Sequence, residues 1–129
     1  MSMSGDLRDR LKTGTVAAAR IYRDERPPKS PLPAVRMQVV SDPRPSTMEG
    51  RQALRETTVQ CDCMGTERAE ADQLAEQVIA IAEQAGTVGT TSFQRSFVDS
   101  LRTYSERSAD GLVTYVSSLD LRVWHSPAA

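Results

Sequence analysis

The run ALRETTVQCDCMGTERAEADQLAEQVIAIAEQAG, residues 53–86, changes its hydrophobic period partway along, and this constrains the fold more than any other feature. Between Ala53 and Cys63 the residues alternate. Thr57, Val59, Cys61 and Cys63 fall on one side, and Glu56, Thr58, Gln60 and Asp62 on the other, which predicts a half-buried strand. After it, MGT reads as a short turn. Thr66 is placed to cap a helix, with Glu67 and Glu70 in the first turn, where the positive end of the helix dipole favours carboxylates. Ala71, Leu74, Val78, Ile81 and Ala85 then recur at spacings of three and four, the stripe of an amphipathic helix, and Gly86 stands where a C-cap belongs. A strand that feeds such a helix calls for a layered fold in which the stripe lies on the sheet.

The two cysteines in this run raise the question of a metal or redox centre. Cysteines two apart on a strand share a face, and closing a disulfide between them would need a strained ring. A zinc site needs about four ligands, whereas the chain has two Cys and a single His, His125. Buried structural thiols are the expectation, with no metal and no cofactor.

The other segments add strands. In AVRMQVV, residues 34–40, Val35, Met37 and Val39 share a face, and Pro28, Pro31 and Pro33 just before keep the approach extended. SDPRPSTMEGRQ follows, residues 41–52, with Pro43, Pro45 and Gly50, which neither a helix nor a central strand tolerates. A loop of this length in a small domain is commonly functional. TTSFQRSFVDSLRTYSER reads as one or two strands with Phe93, Arg95 and Phe97 on one side, its later part able to start a short helix. After the turn signal Asp110–Gly111 comes a long alternation, with Val113, Tyr115, Ser117, Leu119, Leu121 and Val123 on one face, a long antiparallel strand. At the other end, Leu7 and Leu11 share a face of a short helix over Gly5–Lys12, ended by Gly14. Then Val16, Ile21 and Tyr22 are placed to pack, and Arg23–Arg26 to stay solvated.

The expected architecture is therefore α+β: an antiparallel sheet of about four to five strands with one long and one short helix on one face. With 129 residues, the chain is expected to form one domain over 1–129, in which residues 1–15 are a loosely attached helix and 41–52 a protruding loop. The N-terminal stretch has no signal-peptide-like apolar run and no segment has the apolar length of a membrane span, so synthesis in the cytosol is the expectation.

Charge narrows the partners. Formal net charge is −1, but residues 1–55 carry 11 Lys and Arg against 6 Asp and Glu, and residues 56–129 carry 5 against 11. Halves of opposite sign favour head-to-tail contact between copies if the fold keeps them apart, and cancel if it interleaves them. Basic residues are too few for a nucleic-acid binder by charge, and aromatics at 5% offer few stacking platforms.

No catalytic signature is present: G-x-S-x-G, the P-loop, H-E-x-x-H and G-x-G-x-x-G are all missing from the sequence. GTVGTTS, residues 86–92, lacks the P-loop lysine and precedes a strand, so it reads as a turn. A single His without a nucleophile elbow gives no triad. Trp124 reads as a packing residue, and no internal repeat is visible.

The order of these pieces is what resembles a known family. PLPAVRMQVVSDPRPSTMEGRQALRETTVQCDCMGTERAEADQLAEQVIAI and the late YVSSLDLRVWH together resemble the tail-completion (tail terminator, head-tail joining) proteins of long-tailed bacteriophages, over roughly residues 20–125. The shared features are a Pro-rich lead into a first strand, a loop ending in Gly, an LRE-x-x-VQ strand, a helix opening on small and acidic residues, and a closing SLDLRVWH strand. The resemblance implies a non-enzymatic virion protein, assembled in the bacterial host cytoplasm, that forms a ring of commonly six copies at the head-proximal end of the tail. There it stops tube growth and offers the joining surface. Its partners would be itself, the tail-tube protein and a head-tail connector protein, with no membrane and no sequence-specific nucleic acid. Arg44, Met48, Arg51 and Arg55, in and beside the 41–52 loop, are the interface candidates. Two alternatives are a head-closure or adaptor protein of the same connector and, more remotely, an α+β dimer that binds or transforms a small molecule.

Overall fold

The computed structural model describes residues 3–15, 17, 20–27, 31–44, 46–51 and 53–128, the side chain of Arg51 excepted. Val16, Pro28 and Pro45, singled out above, lie outside that set. In chain order the elements are α1 (Met3–Gly14), β1 (Ile21–Arg23), β2 (Ala34–Ser41), β3 (Ser46–Thr47), β4 (Gly50–Arg51), β5 (Arg55–Gly65), α2 (Arg68–Ala82), β6 (Gly86–Val88), β7 (Thr91–Phe93), β8 (Phe97–Arg107) and β9 (Val113–Pro127).

The two strongest alternations pair with each other at the centre. β5 and β9 run antiparallel from Arg55↔His125 to Gly65↔Tyr115 without a break in register. Because side-chain direction has a period of two, this register puts Val59 beside Leu121 and Cys61 beside Leu119 on one face, and Asp62 beside Ser118 on the other. β2 flanks β5 antiparallel, with a bulge between Val39 and Ser41. On the other side of β9 two strands lie end to end: β8 along Val113–Arg122 and β7 along His125–Pro127.

The fold is α+β, but the sheet is larger than expected and mixed. Seven strands join in the order β1-β2-β5-β9-β7-β6, with β8 also on β9, and β1 runs parallel to β2. The extra strands β1 and β6 have three residues each, too few to register a period; tertiary pairing rather than local pattern makes them. β3 and β4 form a separate two-stranded hairpin inside the 41–52 loop.

Both helices pack on one face. Leu7 and Leu11 of α1 and Leu74, Ala75 and Val78 of α2 form one core with Val35, Met37, Val59, Cys61, Leu119, Leu121 and Val123. Where the helices meet, a side chain at Gly14 would collide with Ile81, so the absence of a Cβ there sets how closely they approach.

Five local expectations are corrected. β5 continues through Met64 and Gly65, so MGT is not a turn. The N-cap of α2 is Glu67, without a side-chain cap; instead Glu70 reaches back to accept from the Thr66 N–H at 2.8 Å. α2 ends at Ala82, and Gly86 is no C-cap: it opens β6, where it pairs with Phe93. Phe93 and Phe97 do not share a side, since the chain breaks at Gln94–Ser96 to change from β7 to β8. Phe93 is buried with Arg10 over its ring at 5.3 Å, while Phe97 is exposed with Arg95 over it at 5.9 Å. The strand then runs to Arg107 and no helix begins there.

Candidate assembly surface

The loop candidates rest on one carboxylate. Asp42, just past the end of β2, binds Arg44 Nη2 at 2.9 Å through Oδ2 and faces Arg55 Nη2 at 3.6 Å through Oδ1. Oδ1 also accepts the Thr57 hydroxyl at 3.0 Å, and Thr57 Oγ1 lies 2.7 Å from His125 Nε2. A hydroxyl has one proton; with that proton on Asp42, the imidazole must carry its own on Nε2 and donate it to Thr57. This chain of contacts ties the loop through β5 to the end of β9.

Charge and burial fix the states of these groups. Burial opposes charge on Asp42, but hydrogen bonds from Thr57 and Arg44 and the nearby Arg55 and Arg44 charges outweigh it and hold the carboxyl below its ordinary range. His125 is pushed down by burial first and by Arg55 and Arg44, with Asp42 pulling the other way, so it stays neutral near pH 7.

A hydroxyl between an imidazole and a carboxylate invites comparison with a nucleophilic centre. The polarity is reversed here, because Thr57 donates to the acid instead of the base, and it is fully buried where no substrate reaches it. The arrangement positions a loop.

Of the four candidates, the structure brings Arg44 and Arg55 together on Asp42 and sets Met48, fully exposed, at the turn between β3 and β4. Arg51 pairs its backbone with Ser46, and its side chain lies outside the described residues. Arg44 keeps a largely exposed side chain while Arg55 is mostly covered, so the outward-facing charge of the pair is Arg44.

The sheet face away from the helices is laced with polar groups. Arg36 of β2 holds the buried Asp62 of β5, which also accepts Ser118 at 2.7 Å and Gln60 at 3.0 Å. Beyond them Arg102 of β8 binds Asp120 at 2.9 Å, and Arg122 of β9 binds Glu56 at 2.7 Å. Burial works against the Asp62 charge, yet the bonds from Gln60, Ser118 and Arg36 keep its carboxyl below the ordinary range.

Sequence reasoning read a strand in the β8 segment but named none of its residues as interface candidates. Among the described residues it pairs only with β9, and all eleven of its residues except Val98 are exposed, including Phe97, Leu101 and Tyr104. Its alternation is weak because neither face is apolar throughout.

The thiols are free and buried; burial, with Asp62 nearby, raises Cys61 to about 12, and Cys63 is raised as well. Among the described residues no three His, Cys, Asp or Glu side chains gather as a metal would require, and no helix is long and apolar enough to cross a membrane.

The comparisons with known proteins agree with this geometry. The family model described as "Tail completion protein gp17" matches residues 6–126. A chain of the solved "Virion of native gene transfer agent (GTA) particle" superposes with a TM-score of 0.58 at 14% identity, covering 97% of this chain and 95% of that one. No curated protein sequence matches. A strand-built body with an anchored loop and an uncovered edge, and a family match over nearly its full length, place one conclusion beyond the fold: the chain belongs to the tail completion protein gp17 family and is a structural protein of a phage-type tail.

Proposed function

We propose that the protein forms a ring at the head-proximal end of a long phage tail, commonly of six copies, where it terminates tail-tube polymerisation and presents the surface that joins the head. The family match over residues 6–126 carries this reading. It is supported by the fold shared with a chain of a gene transfer agent virion.

The physical requirement is a heterologous interface that closes on itself, because one that fails to close adds subunits without limit. The partners are further copies, the tail-tube protein and a head-tail connector protein. Arg44, Met48, Arg51 and Arg55 are the loop residues assigned to these contacts. The loop suits the task because its base is held by Asp42 while its tip, with Met48, stands clear of the core.

The test is omission. Particle production without this chain yields tubes of unregulated length that do not join heads, and adding the purified chain restores defined length and joining. Normal tube length with heads left open would instead assign the chain to head closure, and normal particles would remove it from the connector. The double variant Arg44→Glu, Arg51→Glu keeps the fold and loses restoration; full restoration by that variant takes the loop out of the contacts.

A further inference from the structure

We propose that β8 is the surface by which one copy joins the next, adding its outer edge to the outer edge of β2 at Gln38–Ser41 in a second copy of this chain. The inference rests on the ring reading above and names the strands that make the contact.

The two edges are open at opposite ends of one sheet. β8 exposes an eleven-residue backbone edge that no other strand covers among the described residues. β1 covers β2 only from Val35 to Met37, because Asp24 takes a left-handed conformation, φ 71°, and turns the chain away. From Gln38 to Ser41 the outer edge of β2 carries no strand among the described residues. Unpaired edges recruit strands; the bulge between Val39 and Ser41 limits regular pairing on β2 to a short stretch.

Polarity matches as well. β2, β5, β9 and β8 alternate in direction, each antiparallel to the next. A second copy placed in the same orientation brings its β2 antiparallel to β8, so the sheet continues without a reversal. β8 against β8 would instead give an isologous pair and no ring.

Apolar groups match by face. Leu101 (48% exposed) lies on the helix face of its sheet, as does Val39 (42%); Phe97 (50%) and Tyr104 (38%) lie on the opposite face, and Val40 (57%) is exposed in the bulge of β2. Beside the open part of β2 is a cleft of about 640 Å³, lined by Arg8, Tyr22, Asp24, Gln38 and Val39.

Charge does not oppose the contact: β8 carries Asp99 and Glu106 against Arg102 and Arg107, and Gln38–Ser41 carries no charged side chain, so no like charges are forced together. Four residues of pairing span only about 13 Å, so one contact is weak and the closed ring, in which each copy makes two, holds.

The experiment uses the full chain with Val39→Cys, Leu101→Cys or both, incorporated into tails and treated with a short bismaleimide before denaturation. The native thiols at Cys61 and Cys63 are buried and serve as the silent background. The double variant is expected to give a ladder of covalent multimers, a mixture of the two single variants only dimers, and each single variant alone no product. Dimers from Leu101→Cys alone, as abundant as in the mixture, would establish a β8–β8 contact and overturn the proposal. Tails that carry the chain but give no ladder would overturn it and leave the ring reading standing. A ladder from the concentrated free chain, with no copies on tails, would keep the edge contact and remove the tail reading; no ladder in either setting overturns the proposal.

Discussion

β8 and β9 lie side by side over most of their length and have opposite surroundings. β9 has β5 on one side, β8 and β7 on the other and α2 above it, and Val116, Leu119, Leu121 and Val123 are buried. β8 has β9 on one side only, and apart from Val98 every residue is exposed. A residue of β9 is stabilised by neighbours on both sides, whereas among the described residues a residue of β8 has a strand on one side alone.

Substitutions at equivalent positions test this contrast. Leu119 and Leu101 are direct partners in the pairing of the two strands. Leu119→Ala should cost about 3 kcal/mol by urea unfolding, the usual cost of a cavity under a buried leucine, while Leu101→Ala should cost less than about 0.5 kcal/mol and still reduce incorporation into tails. Equal losses of stability would abolish the distinction.

Asp62→Asn comes next, at about 2 kcal/mol, because the buried carboxylate is replaced by a group that cannot accept from Arg36, Gln60 and Ser118 together. Changing Arg102, on the exposed strand, should have little effect on stability by the same measurement. Gly89→Ala follows at about 1–2 kcal/mol. Gly89 has φ 57°, and an added Cβ would strike the Asp6 carboxylate that binds Thr91 Oγ1 at 2.6 Å.

The smallest effect expected is the dependence on acid. His125 has a depressed pKa, so its contribution is whole above its ordinary value near 6.5 and is lost as pH falls through the folded value. Asp62 and Asp42 are depressed too, and their contribution is lost only as pH falls below about 3.8. Stability should therefore fall in two stages on acidification. His125→Gln should remove the upper stage, which a pH series of thermal melts would detect.

What could be read from the sequence divides along the same line. α2 and the strands β2, β5 and β9 were legible because burial against the helices imposes a period on Val35, Met37, Val59, Leu119 and Leu121. β1 and β6 were not, because three residues held in place by a neighbour carry no period of their own. β8 was legible as a strand but not in its length or facing, because a strand that faces solvent on both sides has nothing to impose alternation on FVDSLRTYSER. At the candidate surface the Pro- and Gly-containing loop was visible with Arg44, Met48, Arg51 and Arg55. Its anchor was not, since Asp42, Thr57 and His125 are brought together by pairing across 83 positions of sequence.

The anchor bears on how the molecule would take a mechanical load. Tension on the β3–β4 hairpin passes through Asp42 and Thr57 to His125, and so enters the sheet along the axis of its two longest paired strands. Along that axis many cross-strand bonds must shear at once, whereas a pull on a border strand would unzip them singly. On the ring reading proposed above, a hairpin tethered in this way serves as a handle on a body built to resist shear.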